Sequence, residues 1–290
     1  MMIHKKPLIS KKRSSEILSK NDEKRHKKSI IMQWNISDSN FFLKPIFSKE
    51  YLTLLSKALE HLKKADSRFH ILSERFPCRP FSPEGLMEPI NPFQSLCRAI
   101  LSQQLSNSAS ESVYRKFIKL FFPDNIEQLE EKESKSSTPR ISEYGIFPMP
   151  QEVRDMSSEN LRLAGCSFKK VEYIKSLADS FLSGDLSAVF FSNTSDEEII
   201  QRLTSIKGIG LWSAEMFLLF SLKRTDILST GDLGIQKGMA LMKGKNISKP
   251  NKGKWKYMNY EEMIEMAEPW RPYRSIASWF MWRIKNTTFT

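Results

Sequence analysis

An all-α fold is predicted by three features of this 290-residue sequence. Apolar residues recur at helical spacing through most of the chain after Lys49. Runs that alternate apolar and polar residues, the mark of half-buried strands, are scarce. A glycine pair, Gly208 and Gly210, separates two such helical runs where a helix–helix hairpin would need to turn.

In chain order, residues 1–48 read as a basic tail, because residues 1–30 carry no hydrophobic periodicity and cannot bury enough apolar surface to fold. From Lys49, Leu52, Leu55, Leu59 and Leu62 mark one helical face. A longer helical stretch covers 92–121, with Phe93, Leu96, Cys97, Ile100 and Leu101, then Val113, Phe117 and Leu120. Residues 128–142 are charged and serine-rich and read as a surface insertion. Helices are expected over 158–165, 168–183, 196–205, 211–222 and 233–242. A second insertion, 243–257, holds six lysines and no acid. Helices resume near 260 and run through the tryptophan-rich end at 270–282. There is no internal repeat.

Composition narrows the function classes. The chain is 40% hydrophobic and 27% charged, with formal net charge +12. Ten Lys/Arg against Glu16, Asp22 and Glu23 make residues 1–30 strongly basic, and the remainder stays basic without them. A polyanionic partner fits this balance. KKR at 11–13 and KRHKK at 24–28 flank ten residues, the spacing of a bipartite nuclear import signal, so a nuclear location is expected, with a mitochondrial presequence as the rival. No apolar run is long enough to span a bilayer, and neither a membrane nor a secretory signal is expected. Cys78, Cys97 and Cys166 are too few for an iron–sulfur cluster or a four-cysteine zinc site, and all four histidines lie within the first 70 residues. Neither centre is expected.

The hairpin LTSIKGIGLWSAEMF at 203–217 is the densest signal. The helix after Gly210 begins with unpaired N–H groups at the positive end of its dipole, and Gly208, Gly210 and Ser213 would present theirs to an anion. In a basic protein the obvious anion is a nucleic-acid phosphate. An ordinary glycine-closed turn would explain an isolated Gly-x-Gly equally well. Asp232, in STGDLGI, follows twenty-two residues after Gly210 and is placed to cap the next helix.

Four segments in order resemble the helix-hairpin-helix DNA glycosylases, and among them the eukaryotic alkylpurine (3-methyladenine) group. They are NPFQSLCRAILSQQLS at 91–106, LAGCSFKKVEYIKSLA at 163–178, the hairpin with Asp232, and PWRPYRSIASWFMWR at 269–283. The resemblance implies two helical subdomains within residues 49–290. One spans about 90–195, the other 49–75 plus 196–290, and the hairpin and Asp232 lie at the cleft between them. No N-terminal β-domain is expected.

The same resemblance assigns roles. Asp232 would be the catalytic carboxylate, stabilising the cationic sugar that forms as a base departs and orienting water. The residues before it, Thr230 and Gly231, depart from the family's usual Pro-Asp or Pro-Glu. Trp212 stands where lyase members carry an amine nucleophile, which implies a monofunctional enzyme. Trp212, Trp282 and Met216 would line the base pocket, since an aromatic face attracts an alkylated, positively charged purine. Gln104 would enter the duplex behind the extruded nucleotide, with Gln103 as the competitor. Lys170 and Lys207 would contact phosphates. Backbone carbonyls of Thr204, Ile206 and Gly208 would hold a structural monovalent cation, and the chemistry itself would need no cofactor. A monomer acting on double-stranded DNA with alkylated bases is expected. The alternatives are a glycosylase of another base specificity and a non-catalytic DNA-binding protein.

Overall fold

The computed structural model describes residues 34–36, 43–45, 47–123, 147–248 and 252–284. The two basic clusters at 11–13 and 24–28 and the insertion at 128–142 lie outside them. Ordered structure begins before residue 49, contrary to the expected tail boundary. Strand β1 (Trp34–Ile36) pairs antiparallel with β2 (Leu43–Pro45), Ile36 opposite Leu43. Leu43 also bridges to Ile90, exchanging backbone bonds of 2.8 Å in both directions, and is fully buried. One buried leucine anchors a ribbon too short to show period-2 alternation, which is why the sequence conceals it.

Helix α1 (Lys49–Ala65) starts at Ser48, whose side chain accepts from the Glu50 N–H. Its buried face is Tyr51, Leu54, Ala58 and Leu62, whereas Leu52 is 50% exposed. The expected leucine stripe is therefore rotated by one position. Tyr51 and Ala58 complete an i, i+3, i+7 row, and Leu52 falls about 100° from it. Helices α2 (Phe69–Arg75) and α3 (Pro83–Leu86) fold back on α1.

Helix α4 (Pro92–Ser102) has Asn91 as cap and proline in its first turn, both start signals, and buries Phe93, Leu96, Cys97, Ile100 and Leu101. It packs on α5 (Asn107–Lys119). After the undescribed segment come α6 (Pro150–Asp155), α7 (Ser158–Leu163) and α8 (Phe168–Leu182). Helix α8 packs against α4, α6 and α7 and forms the centre of the first helical group. Its buried residues Val171, Ile174, Leu177, Ala178 and Phe181 make one stripe, each worth roughly 1–3 kcal/mol of apolar burial. Helix α9 (Ala188–Asn193) closes this group.

Helices α10 (Asp196–Thr204) and α11 (Leu211–Met216) form the hairpin, and α11 continues as a π-helical turn, Phe217–Ser221, packed on α4. The second group is completed by α12 (Leu233–Met242), α13 (Tyr260–Ala267) and α14 (Arg274–Met281). Helices α12 and α14 touch backbone to backbone: a Cβ on Gly238 would stand 2.3 Å from the Met281 carbonyl oxygen. No described helix is long and apolar enough to cross a membrane.

Candidate active site

The loop 223–232 carries Asp232 between the two groups, and its fixation is built almost wholly from buried polar bonds. Asp226 accepts from Arg274 Nε at 2.6 Å and from Arg271 Nη1 at 2.6 Å, with all three side chains mostly buried. Ser275 receives the Ile227 N–H and donates to the Arg224 carbonyl. Ser229, fully buried, donates to Glu215 of α11 at 2.5 Å. These anchors, several of them charge-assisted, restrain a turn that contains no proline. Burial pushes the Glu215 carboxyl up from the ordinary carboxylate range, the Ser229 bond and the Lys254 charge pull it down, and the Asp232 charge adds to the rise.

Asp232 caps α12, its Oδ1 accepting from the Ile235 N–H at 2.8 Å. The same oxygen accepts from Trp282 Nε1 at 2.8 Å, and Oδ2 accepts from Trp212 Nε1 at 2.7 Å. Three N–H donors thus hold one carboxylate in a single orientation. Oδ1 is saturated; Oδ2 keeps a lone pair for a substrate or a water. The two indoles reach Asp232 from different directions. Trp212 rises from the first turn of α11 and is 51% exposed, so it is not the core residue that a hairpin tryptophan usually is. Trp282, just after α14, is part-buried and stacks on Phe220 with centroids 5.5 Å apart. Met216, one turn beyond Trp212, is half-buried. Tyr273 faces elsewhere, edge-on to His61 of α1.

Trp282 fits because residue 234 is glycine. A Cβ there would lie 2.5 Å from the indole Cδ1 and 3.0 Å from Asp232 Oδ1. Gly234→Ala is expected to displace the indole and to slow the base release that the resemblance implies about 10- to 100-fold, the value of a hydrogen bond to a charged group. Circular dichroism should stay helical, since alanine favours a helix. A wild-type rate in single-turnover excision would show that the Trp282–Asp232 bond is dispensable.

The hairpin glycines divide their roles. Gly208 has φ +86°, and a Cβ would stand 2.2 Å from the Tyr173 ring, so it is required twice over. Gly210 has an ordinary extended backbone and open space where its Cβ would be. Nothing among the described residues demands a glycine there, and the opening lies at the start of α11. The N–H groups of Gly208 and Gly210 have no backbone acceptor among the described residues. Ser213 is 8% exposed, set behind the turn rather than presented at the surface.

Other expected positions are placed more variously. Gln104 is exposed at the end of α4 with φ +58°, held out from the helix. Its competitor Gln103 turns the other way and donates to the Gly208 carbonyl at 2.7 Å, tying this loop to the hairpin. That carbonyl was expected to face a cation; it and the Ile206 carbonyl, which accepts the Ile209 N–H, each retain a second lone pair. The Thr204 hydroxyl turns back to the Ile200 carbonyl. Lys170 donates to the Leu101 carbonyl at 2.6 Å, finishing α4, and burial lowers its pKa. Lys207 pairs with Glu172 at 2.7 Å on the surface. Both lysines thus have protein partners that a phosphate would have to displace or share. The three cysteines are buried, far from thiolate chemistry, with Cys78 pushed up to about 12 by burial.

The mostly helical fold, the hairpin and the tryptophan-held aspartate agree with the family that the comparisons show. The chain belongs to the HhH-GPD superfamily of base-excision DNA repair proteins, whose family model matches residues 97–257. It is similar to DNA-3-methyladenine glycosylase 1 of Schizosaccharomyces pombe, 33% identical over 237 residues that cover 81% of this chain and 90% of the relative. It is also similar to a DNA-3-methyladenine glycosylase of Saccharomyces cerevisiae, 31% identical over 218 residues and 67% of each chain. The solved structure of S. pombe 3-methyladenine DNA glycosylase (Mag1) in complex with abasic DNA superposes with TM-score 0.58 at 30% identity, covering 80% of this chain and 98% of that one.

Proposed function

We propose that this protein is a monofunctional DNA glycosylase that hydrolyses the N-glycosidic bond of alkylated purines, such as 3-methyladenine and 7-methylguanine, and so starts base-excision repair. The observation that carries it is the Asp232 carboxylate, oriented by Trp212, Trp282 and the α12 N-terminus with one lone pair left on Oδ2. A fixed anion of this kind stabilises positive charge on the departing sugar without reorganising at the moment of reaction. Alkylation at N3 or N7 already makes the base a cationic leaving group, so no strong general acid is required. Trp212, Trp282 and Met216 supply the aromatic and polarisable surface that such a base prefers. The S. pombe and S. cerevisiae relatives carry the corresponding activity in their names.

The deciding experiment is release of bases from methylated duplex DNA, identified by chromatography. Methylated purines should appear and the strand should stay intact until alkali is added. Borohydride during turnover should trap no protein–DNA adduct, because Trp212 cannot form a Schiff base. Efficient trapping would overturn the monofunctional reading, and release of oxidised or mismatched bases alone would favour the other specificity.

Gln104 is proposed as the side chain that fills the gap left by the flipped nucleotide. Its exposure and positive φ fit that role, and Gln103 is occupied at Gly208. Gln104→Ala should slow excision several-fold more on fully paired DNA than on mismatched DNA, where unstacking costs less. Equal slowing on both would remove it from the wedge. The hairpin N–H groups are proposed to grip a backbone phosphate, with a monovalent cation on the Thr204, Ile206 and Gly208 carbonyls adding positive charge. Neutral carbonyl oxygens suit a hard alkali cation, and spare lone pairs at Ile206 and Gly208 leave room for one. The basic clusters at 11–13 and 24–28 would direct a DNA repair enzyme to the nucleus.

A further inference from the structure

One buried amide joins two loops that the sequence holds apart. Gln236 of α12 is 0% exposed, and among the described residues its side chain bonds to main chain outside its own helix. The amide donates to the Thr230 carbonyl at 3.0 Å and the Lys254 carbonyl at 3.2 Å, while its oxygen accepts the Lys256 N–H at 3.0 Å. A buried amide is tolerated when its groups are paired. Here the partners are the turn that carries Asp232 and the lysine-rich stretch 252–256. That stretch is therefore stapled to the catalytic turn.

The staple places Lys254. Its Cε lies 3.8 Å from where a Cβ of Gly231 would stand, directly before Asp232 in sequence. Its ammonium sits 4.7 Å from the Trp255 ring centroid. Its charge is felt at Glu215, which also feels Asp232. Lys254 has no ion pair among the described residues, whereas Lys243 and Lys245 are both held by Glu262. A cation beside the turn that carries Asp232 would oppose a cationic transition state unless another anion met it. A DNA strand brings that anion, one phosphate per roughly 3.4 Å of rise.

We propose that Lys254, held by the Gln236 staple, binds a DNA phosphodiester within about two nucleotides of the extruded base, as a second phosphate site besides the hairpin. The proposal rests on the DNA glycosylase reading above. It makes the stretch 252–256 part of the DNA surface, through one lysine in particular.

The test uses the full chain and duplexes carrying a non-hydrolysable abasic analogue, so no chemistry is involved. Lys254→Gln should flatten the slope of log affinity against log salt by about 0.9. The ratio of wild-type to variant affinity would then shrink roughly 3.5-fold between 50 and 200 mM salt. Lys252→Gln, on the same stretch, should leave the slope unchanged. Single methylphosphonates placed along both strands should then reveal one position near the lesion where neutralisation weakens wild type but not Lys254→Gln. Gln236→Leu should lose the same coupling although Lys254 is present; should that variant fail to fold, the Lys254→Gln scan decides alone. An unchanged slope, an equal slope change in Lys252→Gln, or no coupled phosphate overturns the proposal. Base release from methylated DNA is read separately. A chain that shows the coupled phosphate yet releases no alkylated base would keep this site and lose the proposed activity.

Discussion

Asp232→Asn is expected to reduce single-turnover release of 3-methyladenine by about 10³-fold or more, while affinity for a duplex with an abasic analogue stays near wild type. The magnitude follows from removing a preorganised charge where the transition state develops the opposite one. The hydrogen bonds refine the expectation. An asparagine oxygen in the place of Oδ1 still accepts from Ile235 and Trp282, so the α12 cap and the fold persist. Its NH₂ then meets the Trp212 Nε1–H, donor against donor, where Oδ2 accepts in the native protein. That conflict costs about 1–3 kcal/mol and should swing Trp212 aside. Trp212→Phe separates the two effects, because it deletes the donor and keeps the charge. It should slow release only about 10- to 100-fold. Should Asp232→Asn turn over like wild type, or Trp212→Phe fall as far as Asp232→Asn, the carboxylate is not the catalytic group.

How much of this site was legible depends on how far apart its parts lie in the chain. Asp232 announces itself locally, as a capping residue ahead of an apolar helix, and so do the glycines of the hairpin. The helices were legible for the same reason: periodicity is a short-range signal, and the expected 233–242 matches α12. Where two neighbouring residues could both serve a buried face, the pattern misled, as with Leu52 against Tyr51 and Ala58. Partnerships across the chain leave no trace in local pattern, and only the resemblance brings Trp282 to the site of Asp232. Gln103 meets Gly208 from 105 positions away, Trp282 meets Asp232 from 50, and Glu215 meets Ser229 between a helix and a loop. Gln236 read as one polar residue on an apolar helix. A buried glutamine is a signal only once burial is known.

The same limit applies to the missing proline. From the sequence, Thr230 and Gly231 before Asp232 suggest a looser turn. In the structure, stiffness comes from Asp226 with Arg271 and Arg274, from Ser229 with Glu215, and from Gln236 at the Thr230 carbonyl. A network of buried polar bonds can hold a turn as firmly as a fixed φ, provided each group is paired.

Gly210→Val is expected to leave the protein folded and to lower single-turnover excision at least about tenfold even at saturating protein, together with affinity for the abasic duplex. Valine is compatible with the backbone here, since Gly210 sits at φ −92° and ψ 171°, where β-branched residues are at home. Its Cβ would meet no atom of the described residues, because the space there is open within 4 Å. Backbone strain and a clash at Cβ are thereby excluded, and a loss in a variant that melts like wild type points to what docks against the start of α11. A branched side chain there would stand between a phosphate and the N–H groups of the turn, removing charge-assisted bonds worth about 1.5–3 kcal/mol each. Gly208→Ala cannot serve the same purpose, as its φ of +86° and the Tyr173 ring would disturb the hairpin itself. Deleting residues 1–30 gives the opposite comparison. It removes a diffuse charge that salt screens, so the salt dependence of binding should weaken while excision at saturating protein holds. Circular dichroism and a melting curve establish that Gly210→Val is native. If that folded protein excises at the wild-type rate, the opening at Gly210 carries no phosphate, and the hairpin is a helix–helix turn with no direct part in holding DNA.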